Sequence, residues 1–229
     1  MNAPVKLTAG KPPEVLAFKL PDEERRAEQA VADMFVRQYR KGGGCGDLNV
    51  NEIYNFCISD LRQNPQDNLD FTLTTDRGER YLELMVIAPL GHGGYENANN
   101  EHTCGAFVDW VLTNALSKSV KYGNKLGKPA WLLIYVTDWH FMIPPSALTL
   151  MRLAFIKADH NFEQIFLFTV RDENGGLLNK VNGAPAAEII QWSGQKQKLR
   201  AKRFCNISLA QATPNEDRSF TLLEVPLNP

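Results

Sequence analysis

The chain has 229 residues, of which 44% are apolar and 22% charged, and its net charge is −1. This composition is typical of a globular protein with a sizeable core. It neither indicates nor excludes a polyanionic partner, because a near-neutral sum can hide a local basic patch. The start lacks the basic and apolar regions of a secretory signal, and no window approaches the roughly 18 consecutive apolar residues of a membrane span. We therefore expect a cytoplasmic protein with no membrane partner.

The first helix is predicted from Pro21 to Lys41, after an irregular arm over residues 1–20 that is rich in Pro, Lys and Gly. Acidic residues lie in its first turn, basic residues lie in its last, and apolar residues such as Val31 and Phe35 recur at helical spacing.

A second helix is predicted over residues 47–63, where an apolar stripe includes Phe56 and Leu61. The pair Asn64 and Pro65 is expected to end this helix.

A β-hairpin is predicted next. Residues 69–75 and 79–89 read as its two strands, and the short stretch Asp76, Arg77, Gly78 reads as the tight turn between them.

Beyond a loop at residues 89–100, predicted helices and strands alternate. These elements lie at 101–125 (helix), 130–137 (strand), 144–158 (helix), 164–170 (strand) and 220–225 (strand). Strands separated by helices require crossover connections and some parallel pairing. We therefore predict one α/β domain over residues 21–229, with a mixed central sheet covered by helices on both faces.

Two acidic residues interrupt the apolar pattern of the predicted hairpin. Side chains of a strand alternate between faces, so Leu82, Leu84 and Val86 belong to the core face and Glu83 to the opposite face. In-register pairing would bring Asp70 of the preceding strand to the same face as Glu83. Two close carboxylates repel each other unless a proton or a cation intervenes, and hard oxygen ligands suit Mg²⁺ or Mn²⁺.

These residues, together with the order of elements, resemble the PD-(D/E)xK phosphodiesterase superfamily, which includes restriction endonuclease-like nucleases. The resemblance rests on a helix that carries Glu52, Asp70 at the head of one strand in "LDFTL", Glu83 in the next strand in "YLELMVI", and a following helix and strand. It covers about residues 47–136. The chain also resembles an uncharacterised bacterial family described as endonucleases. The resemblance implies a restriction endonuclease-like fold and a metal-dependent nuclease, with Asp70, Glu83 and Glu52 as ligands of Mg²⁺ or Mn²⁺.

The family pattern has a lysine two residues after the Glu, and this chain has Met85 there. Methionine has a similar length but no charge and no proton to donate. In some relatives the lysine comes from the following helix, which here offers Lys118 and Lys121 at a spacing of three. We take Lys118 as the substitute, which would orient the attacking water or neutralise phosphate charge.

Three other interpretations stay open. Glu83 could pair with a lysine or arginine in a half-exposed sheet, with Asp70 ending a turn. The fold could instead serve a non-catalytic module that binds nucleic acid or forms a homodimer, with Met85 as its signature. His140, in "TDWHF" after a buried strand, could be the acid or base of a small-molecule enzyme.

A zinc site is a further alternative. The four cysteines are widely spaced without a CxxC pair, which indicates reduced thiols rather than a disulfide framework. Known structural zinc sites use tighter paired spacings than this chain offers, and loop or capping roles explain the same residues. The candidate zinc ligands are Cys45, His92, His102 and Cys104.

A basic cluster lies near the C-terminus, in "QKQKLRAKRF". Clustered basic residues are the usual footprint of phosphate contact, and a solvated surface segment explains them equally well. The predicted nucleic-acid-binding residues are Lys196, Lys198, Arg200, Lys202 and Arg203.

Overall fold

The structure is a computed structural model, and it describes residues 5–6, 14–15, 20–42, 56–65, 69–87, 101–122, 127–137, 143–183, 192, 194–205, 212–214 and 220–222. Its elements in chain order are β1 (Val5–Lys6), β2 (Glu14–Val15), α1 (Glu24–Arg40), β3 (Ile58–Gln63), β4 (Phe71–Thr75), β5 (Gly78–Val86), β6 (Glu101–Thr103), α2 (Cys104–Tyr122), β7 (Ala130–Val136), α3 (Pro145–Lys157), β8 (Phe162–Asp172), β9 (Gly175–Lys180), α4 (Lys196–Ala201), β10 (Arg203–Cys205), β11 (Ala212–Pro214) and β12 (Phe220–Leu222).

A six-stranded mixed sheet forms the centre of the fold, in the order β3-β4-β5-β7-β8-β9. Strands β5, β7 and β8 are parallel neighbours, whereas β3, β4 and β9 join by antiparallel pairing. Every residue of β7 is buried, as expected for a parallel strand covered on both faces. The predicted α/β class, a mixed sheet flanked by helices, is confirmed.

Helix α1 covers one face of the sheet, called here the α1 face. Glu24 lies in its first turn and Arg37 and Arg40 in its last, an arrangement that suits the helix dipole. The helix contacts both edge strands, β3 and β9, so the sheet curls around it. The core on this face includes Val31, Phe35, Tyr39, Phe71, Leu82, Leu84, Trp131 and Phe166.

Helices α2 and α3 cover the opposite face, called here the α2/α3 face. Its core includes Met85, Ile87, Phe107, Val111, Leu132, Ile134, Leu150 and Leu167. Leu82 and Leu84 are buried on the α1 face, as predicted. The opposite face of β5 is a second core rather than a half-exposed surface, because α2 packs over it. Val86, expected in the core, is 44% exposed.

The β4–β5 hairpin forms as predicted. Thr75 pairs with Gly78 across the turn. Gly78 has a φ of +91°, a left-handed conformation that costs glycine little. The Asp76 carboxylate accepts a hydrogen bond from the backbone N–H of Cys57 at 2.8 Å, which ties the start of β3 to this turn.

The helix predicted over residues 47–63 is wrong in its second half, because Ile58–Gln63 is the edge strand β3. Antiparallel pairing with β4 provides hydrogen bonds to the backbone groups on one side of this strand. The Arg40 guanidinium of α1 donates to the carbonyl oxygens of Ile58 and Ser59. Residues 47–55 lie outside the described part of the chain.

Two further expectations change at the ends of predicted elements. The helix expected from residue 101 begins at Cys104, because 101–103 form β6 and pair with β10, a strand far along the chain. Part of the last predicted strand is present as β12, which pairs with β11.

Within the predicted N-terminal arm, β1 pairs with β2. Among the described helices, none is long and apolar enough to cross a membrane.

Candidate functional site

Asp70 and Glu83 lie next to each other at the start of β4 and the middle of β5. The ladder pairs Phe71 with Leu82, so the same register carried one residue further sets Asp70 opposite Glu83. The backbone N–H of Leu84 donates to Asp70 Oδ2 at 2.7 Å, which fixes the aspartate against β5. The expectation that strand register brings the two carboxylates together thus agrees with the observed pairing.

Glu83 is a buried acid, with 1% of its surface exposed on the α2/α3 face. Its Oε1 accepts two hydrogen bonds, from Lys118 Nζ at 2.5 Å and from the Tyr122 hydroxyl at 3.1 Å. Its Oε2 is buried and has no hydrogen-bond partner among the described residues. A buried carboxylate oxygen without a partner is costly, and such atoms in proteins usually have a water, an ion or a functional role.

Helix α2 supplies both partners of Glu83. Lys118 and Tyr122 are four residues apart, so they lie on one face of the helix in successive turns. Lys118 is half-buried, with 31% of its side chain exposed, and it is the lysine that the sequence indicated as a substitute for the one missing at position 85. Tyr122 was not predicted, and the spacing of four from Lys118 is the signal that could have found it.

The electrostatics of the site are those of crowded negative charge. Burial and the charge of Glu83 raise the pKa of Asp70 to about 7, against the lowering effects of the Leu84 hydrogen bond and of Lys118. Burial and the same glutamate raise the pKa of Tyr122 to about 12, so its hydroxyl stays protonated and donates. One lysine therefore faces more than one carboxylate.

Glu28 of α1 is a third acid within electrostatic reach. Burial, then the charges of Glu24 and Glu83, raise the pKa of Glu28, and Lys118 opposes the effect. Glu28 was not predicted from the sequence. Its signal is an acid on the apolar stripe of α1, since Glu28 stands four and seven residues before the buried Ala32 and Phe35.

The two carboxylates of this site, Asp70 and Glu83, are of the ligand type that hard divalent cations take. Within the described ranges, no group of three or more His, Cys, Asp or Glu side chains is arranged to hold a metal ion. The unpartnered Oε2 of Glu83, the neighbouring Asp70 and the excess of acid over lysine are nevertheless the donor chemistry that Mg²⁺ and Mn²⁺ prefer.

Met85 fills the position where the resemblance places a lysine. Its side chain is 5% exposed and packs in the core of the α2/α3 face. It therefore contributes packing and no charge, and Lys118 supplies the only described cation that contacts Glu83. Glu83 does pair with a lysine, as one alternative interpretation held, but in a buried setting rather than a half-exposed sheet.

The predicted basic segment lies apart from the carboxylates. It forms α4 and β10, and α4 packs against α2 through the buried Leu199 and an ion pair of Arg200 with Asp109. Asp109 is nine residues before Lys118, about 14 Å along the helix axis. Arg200 is thus committed to an ion pair, while Lys198, Lys202 and Arg203 are exposed and Lys196 is half-buried.

The remaining candidates are not brought into this site. His102 packs its ring against Phe204, and the buried Cys104 lies 3.4 Å from the Ser146 hydroxyl, in surroundings that show no zinc ligand set among the described residues. Other predicted residues fall outside the described part of the chain, namely Cys45, Glu52, His92, His140 and the loop 89–100.

Comparisons of the chain with known protein families, with curated proteins and with solved structures found no match.

Proposed function

We propose that this protein is a metal-dependent nuclease of the restriction endonuclease-like type, with its site at Asp70 and Glu83. The observation that carries the proposal is the buried Glu83, whose Oε1 is held by Lys118 and whose Oε2 is left without a partner among the described residues. A purely structural ion pair would not need a second acid beside it, and Asp70 is that second acid.

The order of elements supports the same proposal. Helix α1 carries Glu28, β4 has Asp70 at its head, β5 carries Glu83, α2 carries Lys118, and β7 follows beside β5. The PD-(D/E)xK resemblance likewise has an acid-bearing helix, strands with Asp70 and Glu83, a helix and a strand, but its first helix was the one with Glu52. In this arrangement Glu28 takes the place expected for Glu52.

The reaction would be hydrolysis of a phosphodiester. A water oxygen bonds to phosphorus, the bond from phosphorus to one ester oxygen breaks, and that oxygen takes up a proton. Asp70 Oδ1 and Glu83 Oε2 would hold Mg²⁺ or Mn²⁺, which when bound lowers the pKa of a water ligand and offsets charge on the phosphate. Lys118, held against Glu83, would place its ammonium beside the phosphate oxygens.

Cleavage of labelled single-stranded and double-stranded DNA and RNA, with Mg²⁺ or Mn²⁺ added, tests the proposal. Glu83→Ala and Asp70→Asn should each lower the cleavage rate by at least about 100-fold, since each removes a proposed ligand. Glu79→Ala is the matched control, because Glu79 lies on the same strand but is exposed and pairs with Lys128. Equal background cleavage by wild type and Glu83→Ala would contradict the proposal.

A second candidate is a non-catalytic nucleic-acid-binding module. Two observations favour it, the burial of Met85 at the lysine position and the exposure of Lys198 and Lys202 on a separate surface. This candidate predicts binding that depends on the basic segment and is indifferent to Glu83.

A further inference from the structure

The two oxygens of the Glu83 carboxylate are in different situations. Oε1 accepts hydrogen bonds from both Lys118 and Tyr122, whereas Oε2 has no partner among the described residues. The side chain is 99% buried, since only 1% of the residue is exposed. A ligand of Glu83 therefore meets one available oxygen rather than two.

Tyr122 is the partner that fixes this orientation. The last torsion of a glutamate side chain is broad, so the carboxylate turns freely unless rigid donors hold it. Lysine reaches Oε1 with a flexible four-carbon stem and contributes mainly charge. The tyrosine ring has two torsions and is half-buried against the α2/α3 core, and its hydroxyl donates to Oε1 at 3.1 Å, so it defines where Oε1 lies.

A glutamate with one available oxygen binds cations differently from a free one. Ca²⁺ accepts bidentate carboxylates in flexible shells of six to eight oxygens, whereas Mg²⁺ requires near-octahedral geometry from single oxygens. Mn²⁺ prefers the same carboxylate and water ligands as Mg²⁺. Ca²⁺ also binds single carboxylate oxygens, so a carboxylate held through Oε1 denies it only the two-oxygen mode, which Mg²⁺ and Mn²⁺ do not need.

We propose that Tyr122 is a positioning residue that makes Glu83 a one-oxygen ligand and so sets the preference of the site for Mg²⁺ and Mn²⁺ over Ca²⁺. The inference rests on the proposed function, because it assumes that Glu83 and Asp70 bind a divalent cation. It assigns to α2 a role in metal selection that is separate from the charge supplied by Lys118.

Calorimetric titration of the full chain with Mn²⁺ and, separately, with Ca²⁺ tests the inference. Tyr122→Phe should weaken Mn²⁺ binding about 10-fold, the lower end of the usual effect of removing a group that orients a ligand, and should leave Ca²⁺ binding unchanged or stronger. The ratio of the two affinities is the readout. A loss of folded protein would lower both affinities together and leave the ratio constant.

Tyr81→Phe is the matched control. Tyr81 lies on the same face of β5, two residues before Glu83, and its ring lies beneath Lys128 Nζ. The same substitution there should leave the ratio of Mn²⁺ to Ca²⁺ affinity at the wild-type value. Glu83→Gln serves as the reference for a site that has lost its ligand.

The outcomes separate the two proposals. A fall in the affinity ratio confined to Tyr122→Phe supports the inference. An unchanged ratio in Tyr122→Phe, with wild-type Mn²⁺ binding that still depends on Glu83, overturns the role of Tyr122 and leaves the metal site standing. If the wild-type protein binds no Mn²⁺, or binds it with the same affinity as Glu83→Gln does, both proposals are overturned.

Discussion

At the scale of single residues, the central feature is the buried carboxylate of Glu83. Glu83 lies between a sheet and a helix, where removing its charge from solvent is expensive unless a partner compensates it. Lys118 compensates one negative charge, yet Asp70 brings a second one to the same place. The protein keeps an acid pair where apolar side chains would pack more stably, which is typical of a functional site.

Lys118→Met should destabilise the protein, because it removes the charge facing Glu83 while keeping the side-chain length. Breaking a fully buried pair costs about 3–5 kcal/mol. Lys118 is 31% exposed, so we expect a loss of about 2 kcal/mol in the free energy of unfolding. Denaturant titration at neutral pH measures this change. Lys157→Met, at an exposed position in the last turn of α3, should cost less than about 0.5 kcal/mol; equal losses would argue against compensation by Lys118.

The raised pKa of Asp70 makes stability fall as pH rises. Its pKa is about 7 in the folded protein and near the ordinary 3.8 when unfolded, so the folded state binds more protons between these values. The stabilising contribution is fully present below about pH 4 and is lost as pH rises through about 7. Asp70→Asn removes this dependence. When the pH is raised from about 4 to about 8, the free energy of unfolding of the variant should therefore increase by on the order of 1–2 kcal/mol relative to that of the wild type.

Thermal or denaturant unfolding across this pH range measures the difference between wild type and Asp70→Asn. The control is Asp60→Asn, because Asp60 is an exposed aspartate on the edge strand β3. A constant difference for Asp70→Asn would contradict the raised pKa.

The candidate site could be predicted from sequence only where local periodicity determines it. The period of two in β5 indicates that Glu83 stands apart from Leu82 and Leu84, and the hairpin turn sets the register that brings Asp70 beside it. Glu28 and Tyr122 come from helices, and how a helix packs over a strand is decided by tertiary contacts. Local spacing marks both residues, but only the structure shows that their helices bring them to Glu83.

At the scale of elements, long segments with one clear period were predicted and short ambiguous ones were not. Helix α1 and strand β7 have unmistakable patterns, and both were found at nearly the expected bounds. Strand β3 has only two apolar residues in six, Ile58 and Leu61, and their spacing of three suits a helix better than a regular strand. The strand has a register shift between Ile58 and Asp60. Its pairing with β4 decides the outcome, and that contact is not encoded within the segment itself.

The close packing of β9 against β8, at one edge of the sheet, can be tested by a substitution in their hairpin. A Cβ atom at Gly176 would lie 2.0 Å from the Thr169 carbonyl oxygen on the neighbouring strand. Gly176→Ala should therefore force the strands apart and lower the free energy of unfolding by about 3 kcal/mol. Gly194→Ala is the matched control, because no described atom lies within 4 Å of a Cβ there, and its effect should stay within about 0.5 kcal/mol. Similar stabilities in a denaturant titration would contradict the packing of β9 against β8.

At the scale of the whole molecule, the acid pair and the basic segment lie at opposite ends of α2. Lys118 and Tyr122 belong to its C-terminal turns, whereas α4 packs near its N-terminal turns through Arg200 and Asp109. A nucleic acid that reached both regions would have to follow the length of this helix. The two regions can therefore be altered separately.

Replacing Lys198 and Lys202 together with glutamine should weaken DNA or RNA binding to a similar extent for all sequences. Because each phosphate contact contributes about 0.9 to the slope of log affinity against log salt, the slope should decrease in magnitude by about 2. Fluorescence anisotropy at several salt concentrations measures it. The charge-matched control replaces Lys157 and the exposed Arg62 with glutamine, and an equal change in its slope would place the phosphate contacts elsewhere.

The most direct test of the account is a crystal of the wild-type protein soaked in Mn²⁺, with the anomalous scattering of the metal mapped onto the structure. Metal binding by the two carboxylates predicts one strong peak within about 2.2 Å of Glu83 Oε2 and of an Asp70 oxygen, with Lys118 still on Oε1. A peak elsewhere, or none beside these two carboxylates at a manganese concentration that supports cleavage, would contradict it.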